Sequence, residues 1–316
     1  MYFDAVLLVR SSFIGAAVIV LISYLVPAFR SRFLDYGARS STADQSSAEE
    51  EKRALLRSSG VASVLDSLAK IKVPHSWFTS FYAVSVGLSL LWVSVLPLRS
   101  HLRDVYLLDH RRPSMSITRT KLAWFLMLCQ GVRRLAECLL LSEPSKSTMW
   151  AGHWLVGLFF YVGMSVAIWI EGVPALLKHE FSVHDLEIAF PDLQASIFLL
   201  LFLLASGIQH DCHAYLASLK KKSYNPKTST TDYRFPDFPA FSICLTPHYL
   251  MECLIYLSLA GLAAPAGQWA NATILCALAF VVTNLGVTAV GTRRWYARKF
   301  GKDAVKGRAA MIPYIL

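Results

Sequence analysis

Long apolar runs, separated by polar and basic segments, dominate the pattern of this chain. A helix that crosses a bilayer needs about 20 mostly apolar residues, because each residue adds only about 1.5 Å along the helix axis. The pattern therefore predicts about seven membrane-spanning helices and an all-α fold, that of a polytopic membrane protein. The predicted spans are Phe13–Phe29, Trp77–Leu98, Lys121–Leu141, Trp150–Ile170, Leu193–Leu204 continuing towards Leu219, Phe241–Ala264 and Ala270–Val290.

The polar segments divide the chain into a short N-terminal part and a larger helical part. The first span is not followed by a small-residue cleavage site, so we interpret it as a retained anchor rather than a signal peptide. The Ser-rich stretch Ser40–Lys52 cannot bury a core and predicts a flexible loop. Leu65–Ile71 has the apolar content of a short interfacial helix. We therefore expect an anchor and loop at 1–72 and a membrane domain at 73–316.

Composition agrees with a membrane protein. Of the 316 residues, 55% are hydrophobic and 16% are charged, whereas soluble domains carry about 25% charged residues. The six cysteines form no CxxC pair, and they all lie in or beside apolar runs. This placement favours packing roles over a disulfide framework.

The net charge of +10 comes mostly from Lys and Arg in the segments between the predicted spans. These basic residues are not interleaved with aromatic residues as in nucleic-acid-binding modules, so we exclude nucleic acid as a partner. Positive-inside topology and contact with anionic membrane lipids explain the charge better. Because segment 220–240 and the tail Thr292–Leu316 are strongly basic, we predict a cytosolic C-terminus and a lumenal N-terminus. The pattern predicts no oligomeric state.

The sixth predicted span carries polar residues at helical spacing. His248 and Glu252 are four residues apart, about one helical turn, and Tyr249 and Tyr256 lie close to them along the helix. A carboxylate within a membrane helix costs roughly 2.5–3.5 kcal/mol, so such a residue normally faces a cavity or a partner. These residues are therefore candidates for a functional site.

The third predicted span carries a second polar group, Arg133, Arg134 and Glu137. Both arginines can pair with the glutamate, because residues three or four apart share a helix face. The group is either an ion pair that locks helices together or one wall of a polar cavity, and the two interpretations are compatible.

The fifth predicted span ends in a polar run that contains His210, Cys212 and His213. A zinc site needs four ligands, or three ligands and a water molecule, in tetrahedral geometry. This spacing is weak evidence for such a site, so we predict no metal and favour polar residues that face a ligand at the end of a helix. The chain contains no GxGxxG or GxxxxGK[ST] motif, so a bound nucleotide would be held without a Rossmann or P-loop device.

A specific series of motifs runs from about residue 73 to the end of the chain. The motifs are Val73-Pro74, Trp77-Phe78, Phe81-Tyr82, Arg133–Cys138, His210–His213, Leu219–Lys221, Pro247–Ser258, Asn284, Trp295-Tyr296, Lys299-Phe300, Arg308 and Ile312-Pro313. In this order they resemble the steroid 5α-reductase family, and within it the polyprenol (polyprenal) reductase branch. The similarity is strongest over 207–316.

The resemblance implies a helical membrane enzyme with about seven spans. Members of the family use NADPH to reduce a carbon–carbon double bond conjugated to a carbonyl. For the polyprenal branch, the resemblance also implies the endoplasmic reticulum membrane and the supply of dolichol for dolichyl phosphate and protein N-glycosylation. The residues that it implies as NADPH contacts are Gln209, His213, Tyr233, Arg234, His248, Glu252, Asn284, Arg293, Tyr296 and Arg308.

The chemistry of the reaction favours an aldehyde as the substrate. Hydride addition to a β-carbon needs an electron sink, which a conjugated carbonyl provides and an allylic alcohol does not. We therefore expect a polyprenoid lipid substrate, polyprenal, to be reduced to dolichal, with net conversion of polyprenol to dolichol. We predict Tyr82 as the hydrogen-bond donor to the carbonyl, with Glu137 or one of the arginines beside it as the second catalytic group.

Three alternatives remain open. A 3-oxo-steroid substrate is the first, although the Gln-Glu pair of steroid-reducing members is replaced by Phe78-Thr79 after Trp77. The second is a membrane methyltransferase of the isoprenylcysteine type, which also presents Arg, Glu and Tyr to a cytosolic cofactor. The third is a lipid carrier or scaffold without enzymatic activity, which would need a cavity but no nucleotide site.

Overall fold

The computed structural model describes residues 4–34, 60–95, 113–141, 147–182, 185, 190–225, 230–231 and 233–316. The loop predicted at Ser40–Lys52 lies outside these residues. The expected interfacial helix around Leu65–Ile71 overlaps a helix at Gly60–Ala69.

Helices make up most of the described chain, joined by two short antiparallel ribbons. The α-helices are α1 (Ala5–Leu25), α2 (Pro27–Phe29), α3 (Gly60–Ala69), α4 (Thr79–Val95), α5 (Ile117–Leu140), α6 (Ala151–Ala167), α7 (Val173–Lys178), α8 (Leu193–Ser223), α9 (Ala240–Ile243), α10 (Pro247–Leu262) and α11 (Ala272–Phe300). The ribbons pair β1 (Lys72–Pro74) with β2 (Thr148–Trp150), and β3 (Tyr224–Asn225) with β4 (Thr230–Thr231). A π-helical turn spans Arg30–Leu34, and 3-10 turns span His75–Phe78, Ile170–Gly172 and Asp303–Val305.

Five of the described helical segments are long and apolar enough to cross a membrane. They are Ala5–Leu25, His75–Val95, Ala151–Lys178, Leu193–Ser223 and Ala272–Phe300. Each overlaps one of the predicted spans, so the prediction of a mostly helical membrane protein is confirmed.

The other two predicted spans correspond to α5 and α10, which do not meet the same criterion. Helix α5 carries Arg133, Arg134 and Glu137 within its apolar sequence. Helix α10 has 16 residues, fewer than the roughly 20 that a span needs. The predicted count of seven is therefore not reached by length and hydropathy alone.

The sixth predicted span, Phe241–Ala264, is not one continuous helix. Helix α9 ends at Ile243, and the chain is extended at Cys244 before α10 begins. The C-terminal tail occupies this break, where the backbone N–H of Leu245 donates to the Ala309 carbonyl at 2.9 Å. The Thr246 hydroxyl donates to the Ala310 carbonyl at 2.7 Å. These tail contacts satisfy backbone groups that would otherwise be unpaired at the interruption.

The core of the bundle is organised around the ring of Phe160 on α6. This ring lies 5.9 Å from Phe13 on α1, 5.4 Å from Tyr256 on α10 and 5.3 Å from Phe280 on α11, measured between centroids. Aromatic pairs at such separations stabilise beyond their buried area. One side chain thus joins four helices around the centre of the bundle.

The end of the bundle at which α8 and α11 begin is fixed by polar side chains. Buried Glu171 accepts hydrogen bonds from the Thr273 backbone N–H at 3.0 Å and from the Thr273 hydroxyl. Arg10 on α1 forms an ion pair with the same carboxylate at 2.9 Å. Because Thr273 lies in the first turn of α11, this pair connects α1 to α11.

Asp192 caps the start of α8 at the same end, where its carboxylate accepts the Ala195 N–H at 2.8 Å. Arg119 on α5 binds Asp192 at 2.7 Å and donates to the Ala264 carbonyl at 3.2 Å. The Ala195 N–H and the Arg119 guanidinium both lower the pKa of Asp192. These contacts hold the first turn of α5 against α8 and the end of α10.

Replacing Glu171 with alanine should destabilise the fold. Arg10 and the Thr273 N–H would lose their common partner, and breaking a buried ion pair of this kind costs about 3–5 kcal/mol. Thermal unfolding in detergent should show a fall in Tm of several degrees. Exposed Glu180 provides a matched control, since its replacement by alanine should leave the Tm unchanged. Equal Tm values for the two variants would contradict this role of Glu171.

Candidate active site

A cavity of about 180 Å³ lies between six helices at the opposite end of the bundle, where α4, α6 and α10 begin. Its walls differ in polarity, with charged and amide side chains from α5, α8 and α10 and mainly apolar side chains from α4, α6 and α11. The lining residues are Phe78, Phe81, Tyr82, Arg134, His153, Val156, Gly157, Phe160, Tyr161, Gln209, His213, His248, Tyr249, Glu252, Tyr256, Phe280, Val281, Asn284, Leu285 and Thr288.

Gln209 on α8 connects the polar residues of three helices. Its side chain is 1% exposed, and its carbonyl oxygen accepts hydrogen bonds from Gln130 at 3.1 Å and from Arg133. Its amide nitrogen donates to the Glu252 carboxylate and to the His248 carbonyl on α10. Helices α5 and α10 are thus linked through one amide whose donors and acceptor are all used.

Glu137 on α5 forms the centre of a buried charge cluster. Its carboxylate forms ion pairs with Arg133 and Arg134. It also contacts the Nδ1 atoms of His210 and His213 on α8, both at 2.8 Å. Glu137 is 6% exposed and does not line the cavity. It lies behind Arg134 and holds that guanidinium towards the cavity.

Arg134 in turn binds Tyr82 on α4. The Nε and Nη2 atoms of Arg134 donate to the Tyr82 hydroxyl oxygen at 3.1 and 2.8 Å, and the guanidinium lies 4.8 Å from the ring centroid. Two donors therefore occupy the lone pairs of this oxygen, and its own proton can be donated to Tyr161, a further hydrogen-bond partner of Tyr82, or to another acceptor. Both side chains line the cavity, and a group placed there could accept that proton in a hydrogen bond.

His248 presents a buried atom for which no hydrogen-bond partner is found among the described residues, its Nδ1. Its ring lies 5.5 Å from that of His213 and 4.4 Å from that of Tyr249. A buried polar atom without a partner is costly unless a ligand or water satisfies it. The wall formed by His248, Gln209 and Glu252 therefore fits a polar ligand such as the nicotinamide end of a dinucleotide.

An aromatic cluster outside the cavity lining contains three other predicted cofactor residues, namely Tyr233, Tyr296 and Arg308. Tyr233 packs against Trp295 at 5.3 Å, and Tyr296 packs against Phe235 at 5.2 Å. The Arg308 guanidinium lies 4.9 Å from the Phe235 ring and also donates to the Phe241 carbonyl at 3.4 Å.

The aromatic cluster adjoins the polar wall through Phe241, whose ring is 6.2 Å from that of His248. Arg234 and Arg293 are exposed and also lie outside the cavity lining.

The cavity therefore brings together Tyr82, Gln209, His213, His248, Glu252 and Asn284 from the predicted set, with Glu137 directly behind them. The sequence interpretation did not identify the α6 wall, which consists of His153, Val156, Gly157, Phe160 and Tyr161. The fourth span is apolar on every side, so hydropathy could not indicate which face is lined by a cavity. His153 and the hydroxyl of Tyr161, within an otherwise apolar run, were the available signals.

The C-terminal part of the chain, which includes the polar wall, is similar to a known protein family. The sequence profile of the family described as 3-oxo-5-alpha-steroid 4-dehydrogenase matches residues 175–316. These residues include α8 and α10, which supply the wall of Gln209, His248 and Glu252, and also α11.

Curated relatives extend the similarity over most of the chain. A polyprenal reductase from Caenorhabditis elegans is 29% identical over 276 residues, which cover 78% of this chain and 81% of that protein. Polyprenal reductases from Drosophila melanogaster and Saccharomyces cerevisiae are each 26% identical. Those two similarities cover 79% and 81% of this chain, and 78% and 79% of the relatives. The expected resemblance is therefore confirmed, since residues 175–316 match the family profile and the chain is similar to polyprenal reductases over most of its length.

Proposed function

We propose that the protein is an NADPH-dependent reductase of the α-isoprene double bond of a polyprenal, which it converts to dolichal. The observation that carries the proposal is the Arg134–Tyr82 pair, which places a hydroxyl held by two N–H donors at a cavity with apolar walls. In this role the enzyme would act in the endoplasmic reticulum membrane and supply dolichol for dolichyl phosphate and protein N-glycosylation. The sequence similarity to polyprenal reductases supports this choice of substrate class.

The catalytic role that we assign to Tyr82 is hydrogen-bond donation to the aldehyde oxygen. Negative charge develops on that oxygen as the β-carbon is reduced, and a preorganised donor in a water-poor site stabilises it strongly. Arg134 holds the Tyr82 oxygen with two N–H groups, so the phenol becomes a better donor as charge accumulates. The enolate then takes a proton at the α-carbon, which completes the addition of two hydrogens across the double bond.

Glu137 acts as a positioning residue in this proposal. It is paired with both arginines and does not line the cavity, so it cannot contact the aldehyde without a rearrangement. Its carboxylate fixes the direction in which the Arg134 guanidinium points and balances the charge of the buried arginines.

The polar wall is the proposed site of the cofactor. Bound NADPH would supply the hydride that adds to the β-carbon. His248, Glu252 and Gln209 would hold its nicotinamide end from this wall, and Asn284 would contact it from α11, since all four residues line the cavity. The basic and aromatic residues beyond Phe241 are the proposed contacts for the phosphates and the adenine, since Arg binds phosphate well and aromatic rings stack on bases. These contacts are Tyr233, Arg234, Arg293, Tyr296 and Arg308.

We further propose that α5 and α10 complete a set of seven membrane spans. The charged residues of α5 are paired within the bundle rather than presented to lipid. Helix α10 is enclosed, with Ile255, Leu259 and Leu262 fully buried. A helix shielded by its neighbours can be shorter or more polar than a lipid-facing one. Seven spans and the basic C-terminal tail favour a cytosolic C-terminus and a lumenal N-terminus.

Turnover with a defined substrate tests the proposed function. Purified protein in detergent should oxidise NADPH when polyprenal is added, and the lipid product should be heavier by two hydrogens in mass spectrometry. NADPH, and not S-adenosylmethionine, should raise the Tm. Glu252→Ala should abolish both effects, while Glu180→Ala should retain them. Stabilisation by S-adenosylmethionine alone would support a methyltransferase, and the absence of turnover with polyprenal would contradict the proposal.

Removing the Tyr82 hydroxyl should slow the reaction without unfolding the protein. We expect Tyr82→Phe to lower kcat by a factor of about 10²–10³, the usual loss when one donor to a developing oxyanion is removed. Tyr215 provides a matched control, because its hydroxyl binds Asp237 outside the cavity. Tyr215→Phe should keep kcat within about two-fold of wild type. A Tyr82→Phe enzyme with the kcat of wild type would exclude Tyr82 as the donor.

A further inference from the structure

Helix α3 packs on the protein through Leu65, Asp66 and Ala69, which are half-buried. Asp66 forms a 2.6 Å ion pair with Arg32, whose side chain is mostly buried. The apolar residues on the other side are left exposed, with Val64 60% and Leu68 45% accessible. A helix on a water-soluble protein usually buries its apolar residues against the core, whereas α3 leaves these two large apolar side chains outside. The outward apolar stripe of α3 therefore fits a surface that is itself apolar.

One contact joins α3 directly to the β1–β2 ribbon, and two more join the segments next to α3 to the ribbon and its flank. The Trp150 indole donates to the Leu68 carbonyl at 3.0 Å, and the Ala151 N–H donates to the Ile71 carbonyl at 2.9 Å. The Phe33 ring packs on the Trp150 ring with centroids 4.3 Å apart. The direction in which α3 faces is therefore set by the folded ribbon rather than left free.

Each strand of this ribbon is followed by a segment that contains a cavity-lining residue. β1 continues into the 3-10 turn that ends at Phe78, and β2 continues into α6, which carries His153 in its first turn. Phe78 and His153 both line the cavity. Helix α3 and the start of the apolar cavity walls thus belong to one connected unit.

Residues typical of a membrane interface surround this unit. Trp77 is 46% exposed and its ring lies 5.1 Å from that of Trp154. Lys70 and Lys72 are exposed immediately after α3. Tryptophan is enriched at the headgroup level of membranes, and basic side chains are attracted to anionic headgroups.

We propose that α3 lies in the headgroup region of one bilayer leaflet, with Val64, Leu68 and Ile71 in contact with the acyl boundary. The bilayer is the occupant of this face, because exposed Trp77 at the start of the next membrane-spanning segment and exposed Lys70 and Lys72 lie next to it in the chain. If the proposed function holds, α3 also sets the cavity mouth at the depth of the aldehyde end of a polyprenal. The isoprenoid chain would then remain in the hydrocarbon.

Depth-dependent quenching tests the membrane contact independently of any activity. The protein is reconstituted in vesicles of phosphatidylcholine and phosphatidylserine with a genetically encoded fluorescent amino acid in place of Val64. Lipids brominated on the acyl chain should quench this probe, whereas aqueous iodide should not. The matched control replaces neighbouring Ser63, which is also exposed but lies about 100° round the helix, and this probe should respond to iodide.

Quenching at position 64 by iodide would place the apolar face in water and overturn the proposal. A probe at position 64 that neither quencher reaches would mean that protein covers the face, which also overturns it.

Kinetics then test the link to the substrate. In the same vesicles, a double variant that carries Val64→Asp and Leu68→Asp should have a kcat/KM for a long-chain polyprenal about five-fold below wild type. The reason is that a charge is unfavourable at the acyl boundary. The variant should reduce a short, water-soluble isoprenoid aldehyde at the wild-type rate. Ser63→Asp should leave both reactions unchanged.

Equal losses for the two aldehydes would show a defect in folding or catalysis and would overturn the delivery role. If wild-type protein reduces neither aldehyde, the proposed function fails, and the quenching result still decides whether α3 contacts lipid.

Discussion

The arrangement of this active site depends on one buried carboxylate, that of Glu137. Four cationic or titratable side chains, Arg133, Arg134, His210 and His213, converge on it from two helices. Two guanidinium groups would not remain buried without a counter-charge, because the desolvation of each is costly. The carboxylate therefore makes it possible for Arg134 to lie beside the cavity and bind Tyr82. Glu137 itself stays behind the reacting groups and acts on them through Arg134.

The division of the cavity into polar and apolar walls follows from this cluster. Gln209 carries the polar network from α5 to Glu252 and His248 on α10, and this network accounts for one side of the cavity. The facing side chains of α4, α6 and α11 are largely aromatic or aliphatic. A polar cofactor and an isoprenoid lipid can therefore approach the same hydroxyl from different sides. In the proposed function, this separation would allow a membrane lipid to react with a water-soluble reductant without passing through the aqueous phase.

The sequence predicted most of the helices and one half of the site, for identifiable reasons. Spans such as Ala5–Leu25 and Ala272–Phe300 are uniformly apolar over a membrane thickness, and His248 and Glu252 are conspicuous inside an apolar run. The break before α10 could not be predicted, because it depends on tail residues Ala309 and Ala310 that are distant in sequence. The α6 wall was missed since only packing decides which face of an apolar helix borders a cavity.

The most direct test of the proposed mechanism concerns the two hydrogen bonds that Arg134 donates to the Tyr82 oxygen. Lysine at position 134 keeps the charge but cannot donate two parallel hydrogen bonds to the Tyr82 oxygen. We expect Arg134→Lys to lower kcat for polyprenal by a factor of at least about ten. KM for polyprenal should change by no more than about two-fold. An unchanged kcat would contradict the central role of the Glu137–Arg134–Tyr82 chain. A rise in KM alone would also contradict it, because Arg134 would then only bind the substrate.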